Sequence, residues 1–313
     1  MATAIAYTEL GGPEVLTLIE VPTPPPGSGE IVVRIEAAGV NPIDWKIRSG
    51  ARASDPLTGP RRIGADAAGV VTAVGAEADG FRTGDAVVVF GATGAYASEI
   101  VIPVEKAQPR PPQVSAEQGA ALGIPVGTAY QALRSLAVDR RDTVLVHAGS
   151  GSVGQAAIQY AALWGATVVA TSSERRFDRV RELGAIPVAY GDGLADRVRS
   201  VAPQGVTVAV DIAGTDEAIQ TSLELVADRE RIVTLVRGKD AAAFGIRAFS
   251  AGSPIPLSPR ELAWRREAIP VTIALMAAGA FSVELGPSYP LADAAGAHQA
   301  VQDGVDGKVT LIP

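Results

Sequence analysis

The sequence predicts an α/β fold: a doubly wound parallel sheet in the middle of the chain, with β-rich segments on either side. Three observations predict it. Residues 1–110 are punctuated by glycine and proline and read as short strands. Between about 143 and 236, strand-length and helix-length apolar runs alternate, which implies parallel strands joined by right-handed crossovers. After 281 the chain returns to strand.

Each element has a local reason. In residues 30–37, Ile31, Val33 and Ile35 share one face and Val32, Arg34 and Glu36 the other, the period of a half-buried strand. Residues 69–75, 85–90 and 96–103 repeat that pattern between turn residues, at the spacing of a compact barrel or sandwich. Four prolines in 22–29 make that stretch a stiff surface connector. Ser115-Ala116-Glu117-Gln118 is a capping box that opens a helix, and 128–136 is a second helical stretch. Strands are then predicted at 143–148, 166–171, 206–212 and 231–236, and helices at 152–164, 175–183 and 217–227. A short helix near 292–301 and a strand at 309–312 close the reading. Residues 239–270 show no clear period. Within them 242–246 is apolar, and 250–259 has the serine, glycine and proline content of a loop.

Composition narrows the function. With 313 residues, 47% hydrophobic and 19% charged, the chain can build about two packed domains and is not disordered. A net charge of −7 argues against nucleic-acid binding. No cysteine and two histidines leave almost no material for a metal site, so none is assigned. No apolar run reaches about 18 residues, and residues 1–7 lack a basic region and an apolar core. The expectation is a cytoplasmic protein without a membrane partner, whose chemistry is borrowed from an organic cofactor.

The strongest motif is Gly149-Ser150-Gly151-Ser152-Val153-Gly154, which follows an apolar strand and opens a helix, the context that a dinucleotide fingerprint requires. Gly149 permits the turn, Gly151 lets backbone approach a pyrophosphate, and Gly154 lets helix and sheet pack. The phosphates would lie on unpaired N–H groups at the helix start. The next strand ends Ala170-Thr171-Ser172-Ser173, without the acid that binds a ribose 2′-hydroxyl, and Arg175 and Arg176 follow. Hydroxyls and guanidinium groups suit a 2′-phosphate, so NADP(H) is the predicted cofactor. No tyrosine has a lysine four positions on, which excludes the Tyr-x-x-x-Lys proton relay of short-chain reductases.

The order of motifs resembles the medium-chain dehydrogenase/reductase superfamily, and within it the zinc-free quinone oxidoreductase and enone (alkenal) reductase branch. The markers are the strings from Ala38 to Lys46 and from Gly64 to Val71, Gly84-Asp85-Ala86-Val87, Gly127-Thr128-Ala129-Tyr130, the glycine loop, and Gly307-Lys308-Val309. The resemblance implies a GroES-like catalytic domain (1–122, completed by 268–313), a Rossmann domain (123–267), and the cofactor in the cleft between them. It also implies that Asn41 and Thr128 face the nicotinamide end, and that Ser172 and Arg176 grip the 2′-phosphate with Tyr190 beside them. A homodimer is implied as well. Asn41 and Ala65 stand where zinc-dependent relatives place a cysteine and a histidine ligand.

Chemistry without a metal then selects the acceptor. Hydride added to a quinone or an α,β-unsaturated carbonyl leaves a delocalised anion that water can protonate, so positioning is the main demand. The catalytic candidates are Asn41, Lys46 and Thr128. Lys46 could bond a developing enolate oxygen, or it could be a solvated lysine snorkelling from a short helix. Tyr130 and His147 are expected in the core, and His298 at the surface or on a helix cap. The alternative function is an NADPH-binding redox sensor or pathway accessory protein with little turnover.

Overall fold

In the computed structural model, which describes residues 1–249, 253 and 255–313, the two ends of the chain form one unit and its centre another. The first comprises Met1–Ile124 with Ile269–Pro313, the second Pro125–Ala268. From the N-terminus come β1 (Ala2–Tyr7), β2 (Thr17–Val21), β3 (Glu30–Gly39), the seven-residue helix α1 (Pro42–Arg48), β4 (Arg61–Arg62), β5 (Asp66–Val74), β6 (Ala86–Val89), β7 (Glu99–Pro103), β8 (Ala107–Pro109) and α2 (Ala116–Ala120). Ser115 accepts from the Gln118 N–H while Gln118 reaches back to the Ser115 N–H, the reciprocal capping read from sequence.

The centre follows as α3 (Gly123–Ser135), β9 (Thr143–Val146), α4 (Ser152–Leu163), β10 (Thr167–Ser172), α5 (Phe177–Glu182), β11 (Ile186–Ala189), α6 (Leu194–Val201), β12 (Val208–Asp211), α7 (Asp216–Leu225), β13 (Ile232–Thr234), α8 (Ala241–Phe244), β14 (Arg247–Ala248) and α9 (Pro259–Ala277). The chain ends with β15 (Leu285–Pro290), α10 (Ala294–Gln302) and β16 (Lys308–Ile312).

The central strands form a parallel sheet in the order β11-β10-β9-β12-β13-β14, the doubly wound arrangement expected. Every residue of β9 and β12 is buried, as parallel strands covered on both faces require. The other unit has a seven-stranded sheet and a three-stranded sheet, β2-β1-β4, whose inward side chains share one core from Ala4 and Ile5 to Val309 and Leu311. Strand β3 is its axis, pairing with β5, β7 and β16. The register sets Gly39 opposite both Asp66 and Thr310. Asn41, two residues beyond Gly39, and Lys308, two residues before Thr310, therefore arrive at the same end of the sheet as Asp66. A Cβ on Gly39 would lie 2.0 Å from the Ala120 carbonyl oxygen and 3.0 Å from Lys308 Cε, so only glycine fits.

Several elements go beyond the sequence reading, among them the short α8 and β14. Strand β11 and helix α6 were not anticipated. Helix α9 runs for 19 residues where no period was visible, because Pro270 lies inside it and charged and apolar residues interleave around its circumference. In the loop expected at 250–259, Ser250, Ala251, Gly252 and Pro254 lie outside the described residues. Among the described residues no helix is long and apolar enough to cross a membrane.

Candidate functional site

The glycine loop joins β9 to α4 at the carboxyl edge of the parallel sheet, where open α/β sheets bind ligands. The next strand ties it down: Thr171 Oγ1 accepts from the Ala148 N–H at 3.1 Å, and the Thr171 carbonyl from the Gly149 N–H at 2.8 Å. Gln155 Nε2 donates to the Ser150 carbonyl at 2.8 Å, while Arg179 from α5 donates twice to Gln155 Oε1, at 3.0 and 3.1 Å. Gln155 and Arg179 were missed from sequence; the available signal was a glutamine on the buried side of an otherwise apolar helix.

The three glycines have different reasons for being glycine. A Cβ on Gly149 would lie 2.7 Å from Ala170 Cβ, and one on Gly154 only 2.3 Å from the Ala148 carbonyl oxygen and 2.7 Å from Gly149 Cα. Both are demanded by packing. A Cβ on Gly151 would meet only the Ala148 oxygen, at 3.7 Å, and Gly151 has ordinary extended backbone, φ −77°. Nothing in the protein itself forbids a side chain there. Gly151 is also the N-cap of α4 and offers no side-chain cap to the orphan amides of the first turn, unlike Ser115 and Thr215 at the starts of α2 and α7.

Ser172 ends β10, buried, and its hydroxyl donates to the Ser173 carbonyl at 3.2 Å. A single 3-10 turn, Glu174–Arg176, carries Arg175 and Arg176 immediately past the strand tip. Tyr190 follows β11, whose register pairs Ala189 with Ser172, so the ring stands just beyond the same edge. It is 61% exposed. Arg197 holds this turn by donating to the carbonyls of Ala189, Gly191 and Asp192. Thus the glycine loop, Ser172, Arg175, Arg176 and Tyr190 share one sheet edge. Asp211, the last residue of β12, closes the turn that follows by accepting from the amides of Ala213 and Gly214 and from Thr234 Oγ1.

The other candidates divide between the units. Thr128 lies buried within α3 in the unit Pro125–Ala268. Asn41 and Lys46 belong to the first unit, at the N-cap and in the interior of α1. Asn41 is 1% exposed, and both ends of its amide are engaged: Oδ1 accepts from Lys308 Nζ at 2.5 Å, and Nδ2 donates to Asp66 Oδ2 at 2.9 Å. Asp66 also accepts from the Ile124 N–H at 2.9 Å. Asp44 Oδ2 accepts from the Asn41 N–H and from the Tyr96 hydroxyl, each at 2.8 Å. Asp44, Asp66, Tyr96 and Lys308 are all buried. Burial pushes Asp44 up to about 6 and raises Asp66, and it lowers Lys308 against the pull of both carboxylates. Lys46 is half-buried, with its ammonium 5.6 Å from the centre of the Trp45 ring.

Two aromatic-region expectations resolve simply. Tyr130 is buried and donates to Glu267 Oε1 at 2.7 Å. His147 is buried with Nε2 3.0 Å from the Ser222 hydroxyl, and desolvation pushes it down to about 4, so it stays neutral. His298 is a correction. Rather than lying at the surface or on a cap, it is fully buried within α10, edge-on to Tyr96 at 5.8 Å, because Ala294, Ala297 and His298 form the inward face of that helix.

Comparison with known proteins identifies the family. The alcohol dehydrogenase GroES-like domain family matches residues 27–112, and the zinc-binding dehydrogenase family matches 152–252. The donor set does not fit zinc. The chain has no cysteine, and among the described residues no three histidine, aspartate or glutamate side chains converge. At Asn41 the neighbour is an ammonium, which would repel a metal ion. The quinone oxidoreductase of Sus scrofa is 32% identical over 325 residues, covering 100% of this chain and 98% of the relative. The Escherichia coli quinone oxidoreductase complexed with NADPH is 29% identical, covering 99% and 100% of the two chains, with a TM-score of 0.84. A mycobacterial structure complexed with NADPH is 32% identical over 100% of both chains, with a TM-score of 0.83. This chain therefore belongs to the quinone oxidoreductase branch of the medium-chain dehydrogenase/reductase superfamily.

Proposed function

We propose that the protein is an NADPH-dependent oxidoreductase that delivers hydride to a quinone or an α,β-unsaturated carbonyl without a metal ion. The observation that carries it is Gly151, a glycine that the fold does not need, at the uncapped start of a helix on the carboxyl edge of a parallel sheet. A ligand that must approach the backbone explains its missing side chain. The NADPH bound by the bacterial relatives supports the choice of ligand.

When bound, the dinucleotide supplies the hydride. The chain's own residues bind and orient. The amides at the start of α4 take the pyrophosphate, and Ser172, Arg175 and Arg176 take the 2′-phosphate, beside which Tyr190 offers an exposed ring. The unit Pro125–Ala268 is thus the dinucleotide-binding domain, and the unit that carries α1 is the catalytic domain. Among the described residues the Lys46 ammonium has no carboxylate partner, which leaves it able to donate to an acceptor oxygen as negative charge develops. Thr128 adds a buried hydroxyl. Asn41, with both amide ends engaged, holds the start of α1 rather than the acceptor.

The test follows the NADPH absorbance band with a panel of quinones and enones, and NADH as the control. The expected result is NADPH oxidation with a KM well below that for NADH. A preference for NADH overturns the 2′-phosphate assignment. Binding of NADPH without oxidation by any acceptor supports a redox sensor instead.

A further inference from the structure

Helix α1 is built inside out. Asn41, Asp44 and Arg48, spaced three and four apart, form a single polar face, and that is the face that is buried. Ile43, Trp45 and Ile47 are only half-buried. Seven residues are too few for a helix to persist alone, where about 12–15 are marginal, so what holds α1 must be its contacts. Those contacts are polar and come from far along the chain. Lys308 of β16 donates to the Asn41 oxygen, Tyr96 donates to Asp44, and Arg48 Nη2 donates to Gln302 of α10 at 3.0 Å.

We propose that Lys308 is the positioning residue of α1: its ammonium, seated on the Asn41 amide oxygen, fixes the start of the helix that bears Lys46. The inference rests on the reading above that α1 serves the reaction. Three observations carry it. Asn41 is the N-cap residue of α1, and its amide reaches beyond the helix to two partners distant in sequence, Lys308 and Asp66. The amide has one workable orientation, with oxygen toward the ammonium and nitrogen toward the Asp66 carboxylate; turned over, it would oppose like with like at both ends. Finally, no carboxylate reaches Lys308 within ion-pair distance among the described residues, so the amide is the bridge between the buried cation and Asp66 rather than a bystander to a direct pair. The 3% exposure of Lys308 and the glycine at 39 that makes room for its stem show that the fold accommodates this lysine inside.

The experiment compares Lys308→Met with Lys308→Met/Asp66→Asn. The second variant removes cation and carboxylate together, leaving an amide at 66 to meet Asn41, and it folds even if the single variant does not. Both variants are read by amide hydrogen exchange, by NADPH binding and by steady-state kinetics with a conjugated acceptor. The expected result is exchange of the α1 amides at least about tenfold faster with that of α4 unchanged, NADPH Kd within about twofold of wild type, and kcat lower by roughly 10–100-fold with little change in acceptor KM. A folded double variant with wild-type exchange in α1 overturns the proposal and leaves Lys308 as a neutraliser of Asp66. Faster exchange with wild-type kcat overturns the link between α1 and turnover. Should the wild-type protein oxidise NADPH with no acceptor, the proposed function falls, and the exchange measurement still decides whether Lys308 holds α1.

Discussion

The two units handle polar groups in opposite ways. In Pro125–Ala268 the backbone amides of the glycine loop, Ser172, Arg175 and Arg176 gather at one edge of a parallel sheet. In the unit built from both chain ends, Asn41, Asp44, Asp66, Tyr96 and Lys308 are sealed within the protein and bonded to one another. On the function proposed above, the first group serves a ligand, whereas the second is bonded largely within itself and fixes the backbone around it. If that function holds, the difference separates binding residues from holding residues without reference to residue type, since asparagine, lysine and aspartate are commonplace in both roles.

The sharpest way to break that distinction is Asp66→Ala. If the closed cluster is self-satisfied, removing one carboxylate strands the Lys308 charge and the Ile124 N–H, and stability falls by about 3–5 kcal/mol in denaturant unfolding. A loss under about 1 kcal/mol would show that the cluster is wet and not closed.

Asp44→Asn should move stability the other way. Both bonds to Asp44 converge on Oδ2, so an amide oxygen can accept them. The folded carboxyl titrates near 6 against 3.8 for the ordinary group, so the folded state keeps a proton that the unfolded chain has released. Stability contributed by that proton is complete below 3.8 and is lost as pH rises toward 6, up to about 3 kcal/mol by proton linkage. The variant should gain stability at pH 7.5 and lose its pH slope between 4 and 6. An unchanged slope measured by unfolding across that range would place Asp44 in contact with water.

Within the open edge, the glycines give a matched pair. Gly154→Ala forces a Cβ against backbone that cannot retreat and should cost about 1–3 kcal/mol in stability. Gly151→Ala should leave stability within about 0.5 kcal/mol yet weaken NADPH binding in calorimetry by at least about tenfold. Equal NADPH affinity in Gly151→Ala and wild type would move the dinucleotide elsewhere. The smallest effect expected is for Arg176→Ala: an increase of about tenfold in KM for NADPH and none for NADH, one charge-assisted bond lost.

The same contrast decides what the sequence could reveal. The open edge is written locally: glycines at 149, 151 and 154 after a strand, and two arginines just past the next strand tip, lie within 28 residues. The closed cluster unites positions up to 267 residues apart, and no window of sequence contains it. Seven residues are too short a window to show which side of α1 is buried, and its inward polar face of Asn41, Asp44 and Arg48 emerges only with β3, β5 and β16 in register. Lys308 was visible only as part of Gly307-Lys308-Val309. Helix α9 escaped because it has no stripe, and His298 because its inward neighbours are alanines, which pattern weakly.

The return of residues 269–313 to the first unit has a consequence for how the protein is made. A ribosome releases residues 1–124 well before the lysine, histidine and glutamine that complete their interior have been synthesised. The middle of the chain is whole earlier, and it should be the part that folds first during translation while Asn41, Arg48 and Tyr96 in the leading segment still lack those partners. Ribosome-stalled chains ending near residue 290 should therefore show a protease-resistant centre and a digestible front.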